Sequence, residues 1–138
     1  MSMQDNGISE YAFLFTDETI KILAKKIFPD YSDGKYEKDK GFYADLVKEE
    51  LDLNYEAEFT GGAYPLNEDG YSDYFKEVNY NGEILLYLPL KKRISLFEAT
   101  YDGFDEIVEE IKGEIGDYLP KDFDYRQNIF FICGTYYG

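Results

Sequence analysis

Apolar and polar positions divide this chain into alternating strand-like and helix-like segments. Residues 11–15, Tyr-Ala-Phe-Leu-Phe, form an apolar run of strand length. Thr16 is placed to cap a helix that opens with Asp17 and Glu18 at its positive end. Ile20, Leu23, Ala24 and Ile27 then recur at helical spacing, and Lys21, Lys25 and Lys26 follow towards the negative end. Pro29 stops the helix, because proline disfavours helical geometry in the residue before it. The polar stretch 30–40 carries a turn signal at Asp33-Gly34. The spacing predicts a second helix over about 41–51 that buries Phe42, Leu46 and Val47 and turns Asp45, Lys48, Glu49 and Asp52 outward.

Residues 55–59 alternate with period two, as a half-buried strand does, and Gly61-Gly62 is expected to end it. Residues 64–73 read as an exposed, tyrosine-rich loop. Asn81-Gly82, the pair favoured in type I′ turns, predicts a hairpin joining strands at 74–80 and 83–90. A further strand is expected at 94–101. Phe104, Ile107, Val108, Ile111 and Ile115 make the apolar stripe of a third helix over about 103–118, closed by Pro120. The chain ends in an apolar strand at 128–137. With residues 1–8 as a loose arm and neither repeat nor linker, the pattern predicts one α+β domain over 1–138. It would hold an antiparallel sheet of about four to six strands and about three helices.

Composition changes the picture in one respect. The 138 residues carry 29 Asp and Glu against 14 Lys and Arg, a formal net charge of −15, with no histidine. Acidic disordered tails lack the aromatic residues that make a core, whereas 15 Tyr and 11 Phe are present here, so a folded protein is expected despite self-repulsion. The single Cys133 lies in an apolar run and reads as a buried core thiol in a reducing, cytoplasmic setting. No signal peptide and no membrane span is visible, so no membrane association is expected.

The charge is uneven. Residues 28–60 hold ten acids and four lysines, and residues 102–124 hold nine acids and two lysines. In the third helix the apolar stripe leaves Asp102, Asp105, Glu106, Glu109, Glu110, Glu114 and Asp117 on the opposite face, interrupted only by Lys112. Like charges three or four apart on a helix repel by roughly 0.2–0.5 kcal/mol per pair. Carboxylates at that spacing, about 5–6 Å per step, can occupy a groove built for a phosphate backbone. A solvated acidic face is the plainer account of the same residues. Asp45, Glu49 and Asp52 on the second helix, with Tyr64 and Tyr71 from the tyrosine-rich loop, complete the candidate contact set, since tyrosine favours interfaces.

Chemistry is poorly supplied. Without histidine there is no ordinary base at neutral pH and no Ser-His or Cys-His pair, so no catalytic residue and no cofactor is assigned. Residues 98–109 partly match a calcium loop, with Glu98, Thr100, Asp102, Gly103 and Glu109 at positions one, three, five, six and twelve, but the first ligand should be Asp and Asp105 falls on the hydrophobic eighth position; no metal is assigned. Zinc lacks ligands. Lys91-Lys92-Arg93 is too small a basic cluster to hold nucleic acid against this background, so no direct nucleic-acid binding is expected.

In size, charge, tyrosine content and unrelieved acidic faces, the chain resembles a loose class: small acidic proteins of phages and mobile elements that disable host nucleases. Anti-CRISPR and antirestriction proteins belong to it, and several imitate DNA. The resemblance implies a basic protein partner, a Cas effector such as Cas9 or a restriction enzyme, met in the cytoplasm of a bacterial host. An immunity protein or antitoxin that plugs a basic toxin nuclease is the alternative, because the same electrostatics would serve it.

Overall fold

The computed structural model describes residues 7–66, 76–90 and 103–136. The elements run β1 (Gly7–Leu14), α1 (Asp17–Ile27), α2 (Asp33–Lys38), α3 (Lys40–Glu50), β2 (Glu56–Phe59), β3 (Gly62–Pro65), β4 (Val78–Asn79), β5 (Ile84–Pro89), α4 (Gly103–Ile115) and β6 (Ile129–Tyr136). The architecture is α+β with one antiparallel sheet, as the sequence pattern predicts. Tyr71, Asp102, the strand expected at 94–101, the Lys91-Lys92-Arg93 cluster and residues 98–102 of the calcium-loop match lie outside the described residues.

The sheet closes on itself. β1 pairs with both β5 and β6, and β2 pairs with the same two strands, so β1-β5-β2-β6 forms a small ring. Closure gives β1 two buried faces, which is why its apolar run is continuous. Along β1, Tyr11 and Phe13 pack with Phe15 towards the helices, while Ala12 and Leu14 enter the ring with Ala57, Phe59, Tyr87, Phe130 and Ile132. Such a narrow ring demands small residues where strands approach. A Cβ on Gly134 would lie 2.6 Å from the backbone oxygen of Glu58.

The helices cover one side of the ring. Thr16 caps α1 by accepting a hydrogen bond from the Thr19 amide at 3.4 Å, and the Thr19 hydroxyl donates to Asn128 Oδ1 at 2.8 Å, tying the helix start to the entrance of β6. α1 ends at Ile27, two residues before Pro29. α4 buries Ile107, Ile111 and Ile115. Its last predicted turn, Gly116–Tyr118, tightens into a 3-10 helix before Pro120.

Several expectations are corrected. The polar stretch 30–40 folds into α2, capped by Ser32 and anchored by fully buried Tyr36. The added helix moves the buried face of α3 by one position. Tyr43 faces the core with Val47, and Phe42, expected inside, is 52% exposed against the edge of the Tyr43 ring. Gly61-Gly62 bends the chain without ending the sheet, because β3 begins at Gly62 and pairs with β4 and β6.

Asn81-Gly82 does not close a hairpin between the strands flanking it. β4 pairs with β3 and β5 with β2, so residues 56–65 and 78–86 form one bent ladder, and Asn81-Gly82 is an offset within it. The Gly82 amide donates to Phe59 O at 2.8 Å and the Glu83 amide to Tyr80 O at 2.9 Å. Of this pair only Gly82 has a positive φ (85°), as in a type II turn, whereas type I′ would need Asn81 there too. Gly7 and Ile8, assigned to the loose arm, belong to β1. Cys133, expected as a buried core thiol, is half-buried on β6 opposite Ser9 of β1.

The cluster at α2 has a measurable signature. Half-buried Tyr31 donates to Asp33 Oδ1 at 2.8 Å, and burial together with this acid pushes its phenol up to about 12. Burial and Asp17 hold the Tyr36 phenol still higher. Unfolded tyrosines ionise near 10. The unfolded chain therefore loses these protons first, and the contribution, complete below about pH 10, is lost as pH rises through about 12. Phenolate absorbance should show at least these two tyrosines lagging in the folded protein, with the denaturation midpoint falling over the same window. Ionisation of all tyrosines together near 10 would contradict this.

Candidate partner-binding surface

Because Ile107, Ile111 and Ile115 fix the inner face of α4, the intervening positions must face outward. Asp105, Glu106, Glu109, Glu114 and Asp117 are exposed and Glu110 is half-buried. Two of these acids are neutralised locally. Asp105 pairs with Arg126 from the turn before β6, and Glu109 lies 3.5 Å from Lys112. Lys112 also sits over the Tyr125 ring, 5.6 Å from its centre, and burial followed by the nearby Glu109 raises the Tyr125 phenol. Glu106, Glu110 and Asp117 make no ion pair among the described residues.

The surface extends beyond the helix. Asp52, at φ 52° just after α3, and Glu114 line one small cleft of about 170 Å³ floored by Leu53, Leu88 and Ile115. The loop after Pro120 adds Asp122 and Asp124 beside Arg126, and a second hollow joins these two acids to Glu18 of α1. From residue 103 to 128 there are eight acids and three bases. The contribution of Asp122 and Asp124 is visible as charge in the sequence, but only the fold returns their loop to the side of α4.

The remaining candidates separate. Asp45 faces another groove, between α3 and β5. Glu49 is exposed on α3. Tyr64, expected in an exposed loop, is half-buried in β3, where it pairs with Phe131 of β6. Tyr80 and Tyr87, the other tyrosines near the turn, pack on Phe59 and Tyr55.

Among the described residues no group of three or more acids or cysteines is placed to hold a metal ion, and no helix is long and apolar enough to cross a membrane. No protein-family model, curated protein or solved structure matches the chain.

Proposed function

We propose that this protein is an acidic inhibitor that binds a basic nucleic-acid-handling nuclease, a Cas effector such as Cas9 or a restriction enzyme. It would block engagement of DNA or guide by presenting carboxylates where phosphates sit. The observation that carries the reading is the outer face of α4, whose acids stand on a helix anchored by three buried isoleucines. Rigid mounting matters, because a preformed row of charges loses little ordering entropy on binding. The field of a net −15 protein would speed encounter with a positively charged groove.

A competition experiment tests this. Guide-loaded Cas9 and a panel of restriction enzymes are titrated with the protein, and binding of target duplex is followed at increasing salt. DNA binding by at least one enzyme is expected to fall stoichiometrically, with inhibition weakening steeply as salt rises. Inhibition confined to a toxin nuclease would move the assignment to an immunity protein. Failure to displace nucleic acid from any of them would overturn it.

A further inference from the structure

A groove of about 520 Å³ separates α3 from β5, within the about 300–1,000 Å³ typical of ligand sites. Its floor is Phe15, Ile20 and Leu86, and Ile84 stands over it, 51% exposed. Its exposure sets Ile84 apart from Leu86 and Tyr87 of the same strand, which are buried.

The backbone there is also open. In an antiparallel pair, successive residues point their peptide groups alternately towards and away from the neighbouring strand. Phe59 donates to Glu83 O at 2.9 Å and Tyr87 to Tyr55 O at 3.1 Å, so Glu83, Leu85 and Tyr87 face β2. Ile84 and Leu86 therefore face the other way. Phe15 takes Leu86 O at 3.1 Å, and pairing with β1 begins only at Tyr87, because the chain leaves the sheet to enter α1. The outward peptide groups of Ile84 have no strand partner among the described residues.

The rim chemistry selects an occupant. Lys48 is paired with Glu56, and Lys40 lies 3.1 Å from Asp17. Asp45 and Glu83, on opposite walls, make no ion pair among the described residues. Lys48 also feels Asp45, but its ion pair is with Glu56, so among the described residues neither Asp45 nor Glu83 is neutralised by a salt bridge and both can take up a partner's cations.

We propose that this groove receives an extended segment of a partner protein, with an aliphatic side chain between two lysines or arginines. The segment adds to the open edge of β5, its aliphatic side chain covers Ile84 and Leu86, and its cations reach Asp45 and Glu83. Strand addition of this kind draws affinity from main-chain bonds and selectivity from alternate side chains. The site stands apart from the α4 surface and does not require it.

The probe is the blocked peptide Lys-Thr-Ile-Thr-Lys, titrated into ¹⁵N-labelled protein. Saturable shifts are expected at Gly41, Ala44, Ile84 and Leu85, and none along α4. N-methylation of the peptide's isoleucine should weaken binding at least tenfold, as should Ile84→Ser or the pair Asp45→Lys and Glu83→Lys. All three altered side chains are exposed, so unchanged circular dichroism should accompany the loss. Binding is expected to survive reversal of Glu106, Glu109 and Glu110 within about threefold, which separates this site from the α4 reading. Absence of binding, equal binding of Glu-Thr-Ile-Thr-Glu, full affinity of the N-methylated peptide, or shifts centred on α4 would each overturn the proposal.

Discussion

Replacing Glu106, Glu109 and Glu110 together by lysine is expected to weaken binding to the basic nuclease by about a hundredfold, within the 10–10³ range over which charged surfaces alter association. Glu106 and Glu109 are exposed and Glu110 is half-buried, whereas the residues that attach the helix are isoleucines on its other face. The fold should therefore survive. A lysine in place of Glu109 would face Lys112, which now lies 3.5 Å from the Glu109 carboxylate, a repulsion of roughly 0.2–0.5 kcal/mol. Total stability should change by less than about 1 kcal/mol, as for surface substitutions generally.

A control carries the same change of net charge elsewhere: Asp30→Lys, Asp45→Lys and Glu83→Lys, all exposed, the last two in the groove between α3 and β5. If α4 makes the contact, this control should lose only the general attraction, on the order of a few-fold. Calorimetric or surface-based affinities at two salt concentrations would distinguish the cases. Equal loss in both variants would mean that the partner senses overall charge, and unchanged affinity in the α4 variant would remove that helix from the interface.

The second large effect is on stability, and it contrasts two glycines. Gly134→Ala should destabilise the protein by about 3 kcal/mol, at the upper end of overpacking costs. The added Cβ would meet the Glu58 carbonyl oxygen at 2.6 Å and the Phe59 Cα at 3.4 Å. Both neighbours are backbone, held by the pairing of Phe59 with Gly134, so neither can turn aside. Gly113→Ala should act oppositely. It lies within α4 with open space around its Cβ position, so alanine lowers the entropy of the unfolded chain and adds about 0.5–1 kcal/mol. With a urea m-value of about 1–3 kcal/mol/M, the midpoints should move apart by at least about 1 M. A neutral Gly134→Ala would mean that β2 and β6 are not held as closely as their pairing requires.

How far each element can be read in the sequence depends on where its partners lie. α1 is legible because its signals are local: Thr16 as cap, four apolar residues at helical spacing, and Pro29 beyond the end. The outward acids of α4 follow from its stripe in the same way. α2 is not legible, since a six-residue helix containing Gly34 has little propensity of its own and depends on burying Tyr36 against α1 and α3. Phe42 and Tyr43 show the same limit. Adjacent aromatics differ by about 100° around a helix, and only the presence of α2 decides which of them is covered.

Asn81-Gly82 misleads for a related reason. Its preference for a tight turn is real, but the role of that turn depends on residues 56–65 pairing with 78–86. The groove beside Ile84 has no sequence signal, because an apolar strand residue reads as core. It is open only because β1 departs early from the sheet.

The closed ring also orders events during synthesis. β6 follows the other strands of the ring in the chain, yet it pairs with β1 along nearly its whole length, Gly7 opposite Thr135, and with β2 and β3 as well. Until it emerges, β1, β2 and β5 have no partner to complete the circle, and Ala12, Phe59 and Tyr87 have no finished interior to enter. Such long-range pairing is slow and leaves apolar strands uncovered in the meantime. The nascent chain must therefore wait for the residues of β6, and its high negative charge would keep waiting copies apart.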